Sequence, residues 1–295
     1  MDGLTARRPD GRIAVKLLVC ILSLAVRPSG RPAVAQQVAP NRATSYLHPT
    51  DVRDARAIWV NPAGLGEQRE ASIYAEVAVG DAGSKGRLRQ INAGFNARGL
   101  SFGYQRDMLD DGVRGHTYRL GLAGGSGGLA AGFAVAHYRG DGAKSTGWDL
   151  GTSYAANARL MLGLVAANLG QPIVRGLQQR LTFIPGATWH PGPIPAFGVS
   201  THARITPDSV AAYAFGLSWR TPGTTGRGAP RRWPIEILAR LDTDGGLRRG
   251  AFVLGFSIGG QDRFGAIAST PGDVSRVDGV SVYGLATREP AARRH

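Results

Sequence analysis

The chain has 295 residues, including 43 glycines, 17 prolines and one cysteine, and its formal net charge is +14 at pH 7. This length allows one or two domains. No stretch approaches the ~18 consecutive apolar residues that a membrane-spanning helix requires, which argues against a helical membrane protein.

The first 35 residues have the pattern of a secretory signal peptide. Basic residues between positions 7 and 16 precede an apolar run over 17–26, and Ala33-Val34-Ala35 forms a small-x-small cleavage site. Cys20 follows Val19, which is not a small residue, so we expect no lipoprotein anchor. Cleavage after Ala35 removes six basic and two acidic residues and leaves a charge of +10. It also leaves no cysteine, which suits an oxidising compartment.

The rest of the chain alternates between apolar and small or polar residues from Ala71 to Thr287. For example, Phe252, Leu254, Phe256 and Ile258 fall on one face of a strand, and small residues fall on the other. A period of two indicates β-strands. Because no helical segment is available to cover such a sheet, the pattern predicts an all-β fold. The expected architecture is a transmembrane antiparallel barrel whose apolar face meets lipid.

Turn residues divide the barrel region, 71–287, into fourteen predicted strands, an even number as expected for single-chain bacterial barrels. They lie near 71–80, 88–98, 100–109, 116–123, 129–138, 147–156, 159–168, 178–188, 196–205, 210–220, 234–242, 249–259, 263–270 and 279–287. Residues 36–70 form a segment before the barrel, and 288–295 form a basic tail.

The connections between these strands predict the orientation of the barrel. If the first strand rises from the periplasm, the tight turns near Gly99, Gly124 and Asn157 face the periplasm. The longer connections, such as 81–87, 110–115 and 139–146, then face outward, as in outer-membrane barrels. The long Thr221–Trp233 segment breaks this asymmetry and puts the strand count there in question.

The phase of the alternation places charged side chains on the luminal face. Two explanations for these luminal charges stay open. They form either an anion-attracting polar passage or a set of ion pairs that fills the interior. Pairing of opposite charges is expected in both cases. The luminal residues are Arg98, Arg119, Arg204, Arg220, Arg240, Arg263, Glu76, Asp149, Glu236, Asp242 and His202. Trp148, Tyr154, Tyr213 and Trp219 fall on the lipid face or near strand ends, where aromatic girdles occur.

Motifs of catalysis and metal binding are weak in this chain. Gly124–Gly128 matches G-x-S-x-G, but it joins two predicted strands rather than a strand and a helix, so a hairpin turn is the expected structure. No histidine pair has the i, i+4 spacing of a helical zinc site, and no cysteine supports one. The sequence therefore predicts no catalytic residue, no metal site, no cofactor and no enzymatic activity.

The segment Asp54–Gly66 contains Asn61-Pro62-Ala63-Gly64-Leu65. It resembles the N-terminal signature of the FadL-type long-chain fatty acid transporters and of the related PorV/PorQ-type outer-membrane proteins. Leu164–Gly170 also resembles a strand end of the PorV-like branch. The resemblance implies a fourteen-stranded barrel in which residues 36–70 form a small hatch and these five residues are the hatch motif.

Two features depart from the FadL-type pattern. Those transporters are longer, and their large external loops form a hydrophobic capture site, whereas the loops predicted here are short. After the last strand this chain continues to His295, although many outer-membrane barrels end on an aromatic residue.

These observations favour an exported protein of the outer membrane of a diderm bacterium that acts as a passive conduit for small hydrophobic compounds. The alternative is a PorV-like adaptor or scaffold for a secretion or surface-attachment system, with secretion-system proteins as partners. Outer-membrane lipid and lipopolysaccharide are expected partners in both cases, since an anionic outer leaflet accounts for the positive charge. The basic residues are scattered without a nucleic-acid-binding motif, so we expect no nucleic-acid partner. An outer-membrane enzyme is a third hypothesis, which no nucleophile–base constellation supports.

Overall fold

The computed structural model describes residues 44, 46–67, 71–80, 88–108, 114–140, 142–174, 176–192, 196–223 and 233–288. The expected signal peptide (1–35), parts of the expected hatch (36–43, 45 and 68–70) and the tail beyond Arg288 lie outside these ranges. The described helices are α1 (Ala57–Val60) and α2 (Gly64–Glu67). The described strands are β1 (Ala71–Gly80), β2 (Leu88–Ala97), β3 (Leu100–Met108), β4 (Arg114–Ser126), β5 (Leu129–Gly140), β6 (Ala143–Ala155), β7 (Leu160–Leu169), β8 (Ile173–Val174), β9 (Leu177–Gln178), β10 (Thr182–Trp189), β11 (Phe197–Thr206), β12 (Ser209–Arg220), β13 (Ile235–Asp244), β14 (Arg249–Gly259), β15 (Asp262–Pro271) and β16 (Gly279–Arg288).

Fourteen of these strands form a closed antiparallel barrel, which confirms the predicted fold class and strand number. β8 and β9 form a separate two-stranded hairpin. The barrel closes between the first and last strands, with pairs running from Ala71↔Arg288 to Gly80↔Gly279. Closure leaves no free sheet edge, so the wall satisfies its backbone groups without water, as lipid requires.

The two faces of the wall have opposite character. Large apolar side chains point outward; Ile73 is 62% exposed and Phe256 46%. Polar side chains point inward; Asn92 is fully buried and Gln105 is 4% exposed. Some inward residues, such as Val253 and Leu285, are apolar and form part of a buried core cluster inside the barrel. This arrangement reverses that of a soluble protein and gives the apolar belt that a bilayer requires. Trp148 and Trp219 belong to the exposed outer face, as predicted.

Several predicted boundaries are wrong. The outward loop expected over 139–146 is a tight connection, because β5 and β6 continue their pairing to Gly140↔Ala143. The strand expected from 178 begins at Thr182. The residues before it form the β8–β9 hairpin, where Pro172 accepts a backbone hydrogen bond from Gln179 (2.8 Å).

The barrel has two rims, and each carries both short and longer connections. We call the rim where β1 begins and β16 ends the near rim, and the rim where β1 ends the far rim. The near rim carries the two-residue connections 98–99, 127–128 and 260–261. It also carries the long 221–234 connection, which joins the tenth and eleventh barrel strands, so the strand count in that region is correct. Within the described ranges, neither helix is long and apolar enough to cross a membrane.

Residues 46–67, which we call the luminal segment, lie inside the barrel. Their hydrogen bonds and close contacts reach inward-facing residues of strands around the wall, including β1, β2, β4, β6, β10, β11 and β13. These contacts cluster toward the near rim; Ser72, at the start of β1, accepts a hydrogen bond from the Ala55 backbone N–H (2.8 Å).

Candidate functional site: the barrel lumen

Asn61 anchors the luminal segment to the wall. Its side-chain amide donates to the carbonyl oxygens of Pro49 (2.9 Å) and Thr152 (3.3 Å), and its Oδ1 accepts from the Ala63 backbone N–H (3.1 Å). Asn61 is fully buried. It faces Gly151 of β6, where an added Cβ would lie only 2.0 Å from Asn61 Oδ1. The wall therefore leaves room for this side chain by placing a glycine opposite it.

The other motif residues hold the turn between the two helices. Pro62 and Leu65 are fully buried, and Ala63 is 0% exposed. The Leu65 carbonyl accepts a hydrogen bond from the side chain of Asn96 on β2 (3.1 Å). At Gly64 a Cβ would lie 2.1 Å from the Val52 carbonyl oxygen, so the close approach of these two parts of the segment requires glycine.

Arg119 and Asp149 form a buried ion pair that also binds the luminal segment. Arg119 Nη1 lies 2.7 Å from Asp149 Oδ2 and 2.9 Å from the Ile58 carbonyl oxygen. The guanidinium carbon lies 5.1 Å from the centre of the Trp59 ring. Asp149 Oδ1 accepts the backbone N–H of Asn168 (2.8 Å). The pair therefore links β4, β6 and the segment in one network.

Two more of the predicted luminal arginines are paired with acids. Arg240 donates to Asp242 (2.7 Å) and to the Leu47 carbonyl (2.8 Å), so it too holds the luminal segment. Arg263 donates to Glu236 (3.0 Å). These contacts favour paired charges over an open ring of cations in this part of the lumen.

His202 of β11 contacts His48 of the luminal segment, with 2.9 Å between their Nδ1 atoms. The rings meet edge to face, and both side chains are buried. Burial, together with the nearby Arg240 cation, lowers the pKa of His48 from 6.5 to about 3. His48 is therefore neutral at neutral pH. Because the contact needs one donor and one acceptor, the two rings carry complementary tautomers.

Asp51 fastens the same part of the luminal segment to β10 and β11. It accepts hydrogen bonds from Thr188 and from Ser200 (2.8 Å). Thr50 Oγ1 also lies 2.6 Å from Thr188 Oγ1. Residues 48–51 therefore form a latch across the inner face of the β10–β11 pair, and we use that name for them below.

Three predicted site residues stand apart from these networks. Within the described residues, the side chains of Arg204 and Arg220 form no hydrogen bond or ion pair, although both residues lie on inward phases of β11 and β12. Arg98 is not on a strand: it lies in the exposed β2–β3 turn with a positive φ of 56°. The structure therefore does not place Arg98 among the luminal residues, because the inward phase of β2 ends at Asn96.

A cavity of about 1080 Å³ opens beside the luminal segment toward the near rim. Its lining mixes cations with apolar groups and includes Arg56, Arg220, Arg263, Leu238 and Tyr283. In the described part of the chain, no group of three histidine, cysteine or acidic side chains is placed to hold a metal ion.

Several residues of the site were not identified from the sequence. The latch is one such group, and the Tyr46–Arg56–Tyr283 cluster is another. In this cluster Arg56 donates to the Tyr46 hydroxyl (3.0 Å) and lies 5.0 Å from the Tyr283 ring centre. The luminal segment has no strand-like periodicity, so the sequence carried no phase that would show which of its side chains meet the wall.

The wall has a weak point between β10 and β11. Their register runs through Phe183↔Ile205 and resumes at Gly186↔His202, so Ile184 and Pro185 are unpaired on this side. Proline has no backbone N–H and cannot donate to the neighbouring strand, which accounts for the gap. The latch lies directly behind it, since His48 contacts His202.

Together these features define an outer-membrane-type β-barrel: fourteen antiparallel strands closed on themselves, apolar outside and polar inside. No protein-family model and no curated protein matches the chain. Among solved structures, the chain is similar to the toluene transporter TbuX of Ralstonia pickettii, with a TM-score of 0.54, 12% identity and coverage of 87% of this chain and 100% of that one.

Two further structures show weaker similarity. TodX, a toluene transporter of Pseudomonas putida, gives a TM-score of 0.48 at 10% identity and covers 85% of this chain and 98% of that one. A FadL homologue of Pseudomonas aeruginosa gives 0.46 at 10% identity, with coverage of 84% and 96%. The expected resemblance to FadL-type barrels is confirmed at the level of the fold. The resemblance to PorV-type proteins stays a prediction.

Proposed function

We propose that this protein is a passive, non-enzymatic conduit for small hydrophobic compounds in the bacterial outer membrane, which it reaches by means of a cleaved signal peptide. The observation that carries the proposal is a closed barrel that holds a separate segment beside a cavity of about 1080 Å³. A volume of this order accommodates a small organic molecule. The similarity in fold to TbuX, a toluene transporter, supports the same function.

In this proposal the luminal segment acts as a hatch. It is held by hydrogen bonds to the wall, which can exchange with water. It is also held by an apolar cluster in which residues such as Ile58 and Leu65 pack with wall residues such as Tyr74. Its hydrogen bonds with the wall are made by Leu47, Ala55, Ile58, Asn61, Leu65 and the latch. Displacement of this segment would join the cavity to the far half of the lumen.

The unpaired stretch at Pro185 provides a route from the lumen into the bilayer. Thr188 and Ser200, on the two strands that flank it, line the cavity. Phe183 and the neighbouring outward residues of the wall present an apolar surface to lipid. A hydrophobic compound that leaves here avoids passage through water, and fewer backbone hydrogen bonds must break than at a fully paired seam.

A reversible lock across this seam tests the route. If the signal peptide is removed, the mature chain has no cysteine, so an engineered pair is the sole disulfide. We propose Ile184→Cys with Arg204→Cys as the seam lock, and Val253→Cys with Ser269→Cys, an intact inward-facing pair of β14 and β15, as the matched control. The measurement is uptake of a fluorescent hydrophobic probe into proteoliposomes, before and after reduction.

The two parts of the proposal fail in different ways. We expect oxidation of the seam lock to stop uptake and reduction to restore it, while the control lock conducts in both states. Uptake through the oxidised seam lock would refute the lateral route but not the conduit. Wild-type proteoliposomes that take up no more probe than empty liposomes would refute the conduit itself.

The alternative is a PorV-like scaffold for a secretion or surface-attachment system. The tight connections 98–99, 127–128 and 207–208, together with a lumen occupied by its own segment, favour it. A scaffold has no need of hatch movement. Crosslinking in native membranes followed by purification of the barrel tests this function: a stoichiometric secretion-system component supports it, and a barrel recovered alone contradicts it.

A further inference from the structure

Four neighbouring strands carry a row of basic side chains at the far rim. Arg106 of β3 pairs with His116 of β4, His116 pairs with Arg139 of β5, and Arg139 pairs with Lys144 of β6. We call these four residues the basic row. Arg106, Arg139 and Lys144 are exposed.

The basic row faces outward rather than into the lumen. Residues on the opposite phase of the same strands are buried: Gln105 is 4% exposed, Thr117 4% and Ala136 2%. Because side chains alternate across a strand, the adjacent basic residues point away from the barrel axis. The hatch and the cavity therefore do not involve them.

The cations of this row have no internal counter-charge in the described part of the chain. The side chains of Arg106, Arg139 and Lys144 form no hydrogen bond or ion pair within that part of the chain. Arg139 and Lys144 are direct cross-strand partners. Like charges directly opposite each other destabilise a sheet, and a bound external anion would relieve that repulsion.

On β3–β6, the outward-facing residues between the basic row and the membrane centre change in the same order as the layers of a lipid. Next toward the membrane centre come Tyr104, Tyr118 and His137, and the Tyr104 hydroxyl lies 2.9 Å from His116 Nδ1. Further in, the row is apolar and consists of Phe102, Leu120, Val135 and Trp148. A ligand with phosphates above acyl chains meets cations, then an aromatic girdle, then hydrocarbon-compatible side chains.

The near rim of the same strands lacks this arrangement. Outward residues at the near-rim ends of β3–β6 include Leu100, Leu122, Leu129 and Tyr154, and none of them is a lysine or arginine. On these four strands the outward cations therefore lie toward the far rim, which fits a membrane whose far-rim leaflet is the more anionic one. We take the near rim as the periplasmic one, as the sequence predicts from the tight turns 98–99 and 127–128.

We propose that the basic row is a binding site for the phosphate groups of an outer-leaflet glycolipid of the lipopolysaccharide type, whose acyl chains lie along the apolar row beneath. Arginine is suited to this role because its guanidinium binds phosphate oxygens in a bidentate manner. The site does not depend on the conduit proposal, since its residues are outside the lumen.

Titration of the full-length purified barrel with bis-phosphorylated lipid A, followed by native mass spectrometry, tests the site. The test variant combines Arg106→Gln, Arg139→Gln and Lys144→Gln. The matched control removes three exposed arginines from another part of the far rim: Arg248→Gln, Arg249→Gln and Arg276→Gln. Resistance of the folded barrel to denaturation by detergent shows that both variants are folded.

Each membrane-facing cation changes lipid affinity by about fivefold, so the triple test variant is expected to bind lipid A about a hundredfold more weakly. The control variant is expected to stay within about threefold of wild type, because its arginines lie outside the row. Equal binding by both variants would overturn the proposal.

Three binding measurements on the wild-type protein test the site without any variant. Lipid A without its phosphates is expected to bind as weakly as the test variant binds intact lipid A, and binding as tight as that of intact lipid A would contradict the phosphate site. Displacement of lipid A by inorganic phosphate at equal concentration would show a site for the free ion instead. Binding of phosphatidylglycerol as tight as that of lipid A would contradict the assignment to an outer-leaflet glycolipid.

Discussion

Replacement of Asn61 by alanine is expected to release the luminal segment while the barrel stays intact. The substitution removes three hydrogen bonds, and it leaves the Pro49 carbonyl and the Ala63 N–H buried without the partner that Asn61 supplied. A buried polar group that has lost its hydrogen-bond partner costs about 1–3 kcal/mol. Two such groups give a docking penalty of about 3 kcal/mol, allowing for partial relaxation.

That penalty corresponds to roughly a hundredfold shift in the docking equilibrium, since 1.4 kcal/mol is tenfold. Hydrogen exchange of the barrel in nanodiscs, followed by mass spectrometry, reports this equilibrium because amides in the luminal segment exchange when it undocks. We expect about a hundredfold faster exchange in residues 55–66 of Asn61→Ala. The wall strands are expected to exchange as in wild type.

Asn157→Ala is the matched control. Asn157 also caps backbone N–H groups, those of Arg159 and Leu160, but it lies in the exposed β6–β7 turn and does not touch the luminal segment. If Asn61→Ala accelerates exchange in residues 55–66 no more than Asn157→Ala does, the side chain of Asn61 does not hold the segment in place.

Three further changes have defined outcomes. Gly151→Val places side-chain atoms where Asn61 Oδ1 lies, 2.0 Å from an added Cβ, so we expect it to accelerate the same exchange; an unchanged rate would contradict the fit of segment to wall. The pKa of His48 is lower in the docked state, at about 3, than its ordinary 6.5, so the undocked state binds more protons and docking is expected to weaken as pH falls from 6.5 toward 3. Protection factors of residues 46–51, which are exchange rates corrected for the intrinsic rate at each pH, are expected to be lower at pH 4 than at pH 7, and His48→Gln is expected to reduce this difference. Pro185→Ala restores a backbone donor in β10, which is expected to stabilise the barrel by about 1 kcal/mol and to slow probe uptake; a lower unfolding temperature in a thermal melt would refute the missing-bond explanation.

The sequence predicted the wall of this protein almost completely. A barrel wall is built from neighbours that are close along the chain, and a period of two assigns each side chain to one of two faces. The outward positions of Phe256 and Trp219 and the inward positions of Asp149 and Arg240 followed from that phase. Arg98 was assigned wrongly because phase has no meaning in a turn, where φ is positive.

Strand length was harder to predict than strand number. Lys144 and Thr146 lie in a stretch that reads as a polar loop, yet they extend β6 beyond the apolar belt. Hydrogen bonding to β5 maintains the ladder at the rim whatever the polarity of the side chains. Such polar strand ends create the basic row, and cross-strand register, which the sequence does not encode locally, brings its members together.

Only the tertiary structure shows which residues meet inside the barrel. Asn61 meets Gly151, His48 meets His202, and Arg119 meets the Ile58 carbonyl across separations of 61 to 154 residues along the chain. The sequence alone determined that a closed barrel would turn its apolar face to lipid, because backbone hydrogen bonding and alternation leave no other arrangement. It did not determine how the luminal segment docks, because that depends on which of many inward-facing polar groups happen to be complementary in space.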